Sequence, residues 1–120
     1  MQLAESGFVL FTQQYSQAVA FYEHRLGLAV RERQALLTVF DFGASYLMVE
    51  TGGFASPVEK DRTQNPTVLR LDVKDFDQSV LALSEQGINV SVGRYDWGRI
   101  GAFTDPDGNR IELKDAKFER

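Results

Sequence analysis

Two stretches of the chain, Gly7 to Phe11 (GFVLF) and Thr67 to Val73 (TVLRLDV), alternate so that one set of every-other positions is uniformly apolar. This is the pattern of a strand with one buried face. After each stretch the period changes. Tyr15, Val19, Tyr22 and Leu26 recur at helical spacing, as do Phe76, Val80 and Leu83, which gives each segment one apolar stripe to lay against a sheet. Asp75 or Asp77 is suited to cap the second helix, and Gly27 and Gly87 suit the left-handed residue that follows a last turn. Three more strands are predicted after each helix: Ala29 to Arg33, Leu37 to Phe42 and Tyr46 to Thr51 in the first half, and Ile88 to Tyr95, Arg99 to Thr104 and Asn109 to Lys114 in the second. The predicted order is βαβββ, twice.

The two halves also align as an internal repeat. Leu10 to Tyr22 matches Leu71 to Leu83 at an offset of 61, pairing Leu10 with Leu71, Tyr15 with Phe76, Gln17 with Gln78 and Val19 with Val80. Further on, Gly27 pairs with Gly87, and VET meets IEL at an offset of 62, which pairs Glu50 with Glu112. Residues 52–66 join the copies with two glycines and two prolines, a loop composition. At about 50 residues neither copy should close a core alone, so residues 1–120 are read as a single domain: module 1 over about 6–51, a linker over 52–66 and module 2 over about 67–115. The turn Asp105-Pro106-Asp107-Gly108-Asn109 is expected to join the last two strands, with Asp105 and Pro106 at the first two positions of a type I turn and Gly108 at positive φ.

Strand parity separates two faces. Phe8, Leu10, Leu47, Val49, Leu69, Leu71, Val73, Ile111 and Leu113 form an apolar class expected to lie beneath the helices. The opposite class holds Gly7, Val9, Phe11, Tyr46, Met48, Glu50, Val68, Arg70, Asp72, Arg110, Glu112 and Lys114. Aromatic and thioether side chains among two arginines and two glutamates describe the wall of a ligand cavity better than a solvated face. A sheet face covered by a partner subunit is the other reading of the same pattern.

Composition removes several functions. A formal charge of −4 at pH 7 gives no basic field for nucleic acid or an anionic membrane surface. The chain has no cysteine, which excludes thiolate metal sites and a cysteine nucleophile. Its start, MQLAESGF, lacks signal-peptide character and no apolar run approaches the roughly 18 residues of a membrane span, so a cytoplasmic protein is expected. The single histidine, His24, falls outside the stripe of the first helix and is read as an exposed helix residue.

Four segments, AVAFYEHRLGL (Ala18 to Leu28), YLMVE (Tyr46 to Glu50), LDVKDFD (Leu71 to Asp77) and WGRIGAFTDPDGNRIEL (Trp97 to Leu113), occur in order within the duplication. Together they resemble the vicinal oxygen chelate superfamily, which includes glyoxalase I, extradiol dioxygenases and the bleomycin-resistance proteins. The resemblance implies an α+β fold of two tandem βαβββ modules forming an incomplete barrel around a concave cleft, commonly in a homodimer. In the metal-dependent members the first and last strand of each module supply ligands, and matching motif to motif places those positions at Gly7, Glu50, Val68 and Glu112. Gly7 and Val68 carry no donor atom. Glu50 and Glu112 are therefore the only metal ligands on offer, enough for a hard divalent cation with several waters but not for a nitrogen-rich zinc or nickel site.

With no cofactor expected, two glutamates facing one cavity need a positive neighbour, and Arg70 and Arg110 stand two residues from Val68 and Glu112 on the same strand faces. The reading is a metal-independent protein that binds a small organic ligand among Glu50, Glu112, Arg70, Arg110, Phe11, Tyr46, Met48 and Trp97, with no catalytic residue assigned. The glutamates favour a ligand with positive charge, and the arginines admit an amphoteric one. A lyase, isomerase or dioxygenase using Glu50 and Glu112 is the alternative, and a non-catalytic scaffold or regulatory subunit the other.

Overall fold

A computed structural model describes residues 1–116. It divides into two compact units, residues 1–56 and the chain from Pro57 onward. Module 1 contains β1 (Gly7–Thr12), α1 (Tyr15–Ala20), a π-helical turn (Phe21–Arg25), β2 (Val30–Arg33), β3 (Leu37–Phe42) and β4 (Ser45–Thr51). Module 2 contains β5 (Leu69–Val73), α2 (Phe76–Glu85), β6 (Ser91–Tyr95), β7 (Gly98–Thr104) and β8 (Arg110–Asp115). Each module forms an open four-stranded mixed sheet, ordered β1-β4-β3-β2 in the first and β5-β8-β7-β6 in the second. The first and last strands of each module run parallel, and the other pairs are antiparallel. The predicted α+β duplication is the observed one.

The helices lie over the middle of each sheet, α1 against β4 and α2 against β8. Leu47, Val49, Ile111 and Leu113 are accordingly buried, with Tyr22 and Phe40 in the first core and Phe76, Leu83 and Phe103 in the second. The expectation for the first strands needs correcting. Phe8 is 50% exposed, packed edge-on against Phe42, and Leu10, Leu69, Leu71 and Val73 are only half-buried. β1 and β5 are edge strands, so a helix centred on β4 or β8 leaves their inner face partly uncovered.

Local chemistry sets the element ends. The Asp75 side chain accepts a hydrogen bond from the Gln78 amide at 3.1 Å and caps α2. At the other end Gly87 (φ 77°) closes a Schellman motif in which the Ile88 and Gly87 amides donate to the carbonyls of Leu83 and Ser84. Ile88 is thereby buried as part of the cap, which is why β6 begins at Ser91 and not at Ile88. β5 likewise begins at Leu69, two residues later than the alternation implied. Replacing Asp75 with alanine should lower the stability by about 1 kcal/mol, the typical worth of such a cap. It should appear as a lower urea midpoint with an unchanged m-value, and an unchanged midpoint would show that the cap contributes nothing.

The second half of the predicted linker is an integral part of module 2. The Lys60 amide donates to the Gly108 carbonyl at 2.8 Å, and Lys60 Nζ and Asn65 Nδ2 both donate to Asn109 Oδ1. The turn itself has the predicted form. The Gly108 amide donates to the Asp105 carbonyl at 3.0 Å, and Asp105 Oδ1 accepts from the amides of Asp107 and Asn109.

Candidate functional site

On β8 the side chains of Arg110, Glu112 and Lys114 point to the face opposite α2, and β5 presents Arg70 and Asp72 to the same face. Register places Arg70 directly opposite Glu112 and Asp72 opposite Lys114. Arg70 donates through Nε (3.0 Å) and an Nη (2.7 Å) to Glu112 Oε1, while Arg110 Nε donates to Oε2 at 2.7 Å. Both carboxylate oxygens of Glu112 are thus held by guanidinium groups. Glu112 is only 7% exposed. Burial by itself would raise its pKa, but the hydrogen bonds from Arg110 and Arg70 outweigh that and hold the carboxyl below the ordinary range. The Arg110 guanidinium is correspondingly stabilised in its charged form by Glu112. It also approaches Glu59 at 3.4 Å, and Glu59 in turn lies 4.0 Å from Arg62.

The row that contains Glu112 continues across the sheet to Ala102 and then Ser91. Small side chains therefore follow the guanidiniums. In the next row on this face, Gly93 lies beneath Tyr95, whose hydroxyl would be 3.1 Å from a Cβ at that glycine. Trp97 stacks on Tyr95 with ring centroids 5.2 Å apart and planes at 7°. Ala102, Ser91, Tyr95 and Glu59 were absent from the sequence-based set. Carrying the parity argument through β6 and β7 would have found the first three; Glu59 comes from the linker and had no such signal.

Module 1 presents the remaining predicted residues, Phe11, Tyr46, Met48 and Glu50, on the corresponding face. Phe11 lies opposite Glu50 and is 51% exposed, Met48 lies opposite Val9, and Tyr46 opposite Gly7. The Glu50 carboxylate makes no hydrogen bond or ion pair among the described residues, so no arginine balances it in its own module. The Tyr46 ring sits directly over Gly7: a Cβ there would fall 2.5 Å from three ring atoms. Arg31 faces the ring at 5.9 Å and is itself held by Glu5 and Asp41.

Strand register corrects the pairing of the two glutamates. Phe11 and Asp72 are counterparts at the offset of 61, and they lie opposite Glu50 and Lys114. In the folded repeat Glu50 therefore corresponds to Lys114, and Glu112 to Met48. The same registers separate the positions that the resemblance assigns to a metal. Glu50 is four residues along β4 from the partner of Gly7, ~13 Å at about 3.3 Å per residue, and Val68 precedes Arg70 by two residues, ~7 Å. Among the described residues no three of His, Asp and Glu gather closely enough to hold a metal ion. Gly7 is roofed by Tyr46, Val68 has no donor, and both Glu112 oxygens are engaged, so the residues present do not fit the metal of the metal-dependent members.

Away from these faces, α1 and the β2–β3 hairpin border a depression of about 320 Å³ lined by Tyr15, Val19, Glu23, Arg33, Gln34 and Thr38, with His24 beside them. The Tyr15 and Thr38 hydroxyls hydrogen-bond at 2.8 Å, and Arg33 pairs with Glu23 at 2.8 Å. The His24 side chain is 71% exposed, as its place off the stripe predicts.

Two mixed sheets built from a βαβββ duplication, with the chemistry-bearing residues on the faces turned from the helices, define a glyoxalase-like fold. The model of the Glyoxalase/Bleomycin resistance protein/Dioxygenase superfamily matches residues 6–113, and the chain belongs to that superfamily. Among solved structures it resembles lactoylglutathione lyase from Agrobacterium tumefaciens (TM-score 0.76, 21% identity, 99% of this chain and 100% of that one). It is similar also to a bleomycin resistance determinant encoded on transposon Tn5 (0.71, 21%, 97% and 100%). A third likeness is to TnmS3, an antibiotic binding protein from Streptomyces sp. CB03234 (0.71, 22%, 96% and 98%). At these identities the likeness establishes the fold. No curated protein matches the sequence. No helix among the described residues is long and apolar enough to cross a membrane.

Proposed function

We propose that this protein binds a small organic molecule without a metal, on the sheet faces turned away from the helices. The observation that carries the reading is the double guanidinium clamp on Glu112. A carboxylate whose two oxygens are both occupied by fixed positive charge has no need of a cation, and it orients its arginines for a ligand. The row of small residues beside the clamp and the stacked Tyr95 and Trp97 supply a floor and an aromatic wall of the kind small-molecule sites use. The names of the bleomycin resistance determinant and the antibiotic binding protein TnmS3 support a binding role for this fold. The exposed apolar residues Phe8, Val9 and Phe11 on edge strand β1 support a second copy as the protein partner.

Elemental analysis of protein purified without chelator tests the reading, followed by a thermal-shift screen of a small-molecule library before and after EDTA. The expected result is substoichiometric metal and ligand-induced stabilisation that EDTA leaves unchanged, since a ligand selective for the native state raises its stability by mass action. One tightly bound divalent ion per chain, or stabilisation that disappears with chelation, would overturn it.

A further inference from the structure

We infer that the ligand of the module 2 face is an organic anion, a small planar carboxylic acid received by Arg70 and Arg110; this rests on the binding role proposed above. The charge pattern in sequence favours a ligand with positive charge, because of Glu50, Glu112 and the acidic chain, with Arg70 and Arg110 admitting an amphoteric one. The geometry reverses that. Glu112 is clamped by two guanidiniums, of Arg70 and Arg110, so the clamp carries a surplus of one positive charge; Arg110 also approaches Glu59, which Arg62 neighbours in turn at 4.0 Å. Asp72 and Lys114, next along the same face, lie 3.8 Å apart and compensate each other. Glu112 is buried and neutralised, so it is not the group a ligand meets.

The arginines are. Their side chains are 35% and 28% exposed against 9% for Glu112. Arg70 uses Nε and one N–H of an Nη on Oε1, and the other Nη is not engaged by any described residue. A guanidinium has five N–H donors in a planar fork, and a carboxylate is the partner that matches that fork with two parallel hydrogen bonds. Its outward edge therefore offers N–H donors to a second carboxylate, with the first one fixing its orientation. Beside it, Ala102 and Ser91 leave the sheet surface low enough for a flat body to lie on. The Tyr95 hydroxyl over Gly93 stands one position further along the same face, where a polar substituent at the far end of such a body would reach it.

The test compares aromatic compounds of similar size whose polar group is anionic, neutral or cationic: 4-hydroxybenzoate, 4-hydroxybenzamide and 4-(aminomethyl)phenol, and indole-3-acetate, indole-3-acetamide and tryptamine. They are screened by thermal shift and titrated by calorimetry, alongside a fragment library of mixed charge. The carboxylates should bind, the amides and amines should not, and Arg70→Gln should weaken carboxylate binding by about 10–100-fold, the worth of a charged hydrogen bond. Because Arg70 also steadies Glu112, a second variant leaves the clamp intact: Ala102→Phe should fill the floor and abolish binding. If the library yields only neutral or cationic binders, or carboxylates that bind equally well to both variants, the anionic-ligand inference fails while the binding role stands. If nothing in the library binds, the binding role fails and this inference with it.

Discussion

Glu112→Gln should lower the unfolding free energy at neutral pH by about 2–3 kcal/mol, whereas Glu50→Gln should change it by less than about 0.5 kcal/mol. The two residues look alike in sequence, and the difference comes entirely from their surroundings. Removing the Glu112 charge leaves Arg70 and Arg110 close together without their counter-ion, and the new amide turns an N–H₂ group toward a donor. Stripping one partner from a fully buried pair costs about 3–5 kcal/mol; here the arginines keep partial access to water, which screens them and brings the figure down. Glu50 has no described side-chain partner to lose. The sign with pH is also set. A carboxyl whose folded pKa lies below its unfolded value of about 4.3 contributes its full stabilisation above that value, and loses it as pH falls through the folded pKa. The gap between wild type and Glu112→Gln in urea midpoint should therefore be constant from about pH 6 to 8 and narrow below about pH 4. Equal losses at positions 50 and 112, or a gap that persists unchanged at low pH, would show that the clamp does not stabilise the fold.

Much of this architecture was legible in the sequence because its signals are local and written twice. The strand predicted over Leu37 to Phe42 has the observed bounds of β3, Gly27 and Gly87 marked the ends of both helical segments through their positive φ, and the Asp105 turn declared its own geometry. Errors arose where a long-range arrangement decides. Phe8 shares the parity of Leu47, yet it is exposed because its strand lies at a sheet edge, which no single-strand pattern reveals. The equivalence of Glu50 and Glu112 rested on motif likeness, VET against IEL. Parallel pairing with β1 and β5 moves the correspondence by two residues, which preserves the face but changes every neighbour. Parity thus identified Arg70 and Glu112 as sharing a face, but only register showed that they are directly opposed. On β6 and β7 the same parity extends the face to Ser91, Tyr95 and Ala102, whereas the linker carried no signal: Lys60 docks against the turn and so presents Glu59 to Arg110.

Gly7→Ala tests how firmly the Tyr46 ring holds the space over Gly7, a position that the resemblance would give to a metal ligand. The added methyl should destabilise the wild-type protein by about 1–2 kcal/mol, the cost of overpacking a site that must open. Its Cβ would lie 2.5 Å from the Tyr46 ring, which must swing aside and give up its place under Arg31. In a Tyr46→Ala background the same change should become neutral or stabilise by up to about 0.5–1 kcal/mol, because the obstruction is gone and glycine in a strand is itself unfavourable. A double-mutant cycle between positions 7 and 46, read from urea midpoints, should then show a coupling of about 2 kcal/mol. Additive effects would mean that the ring yields freely and that Gly7 is only an empty position. With coupling of that size, Gly7→His cannot place an imidazole toward the sheet face without displacing Tyr46. Restoring the missing donor alone would still leave Glu50 four register positions away, and the residue that corresponds to Glu112 is Met48, which offers no carboxylate, so a metal centre in this module needs a second substitution as well.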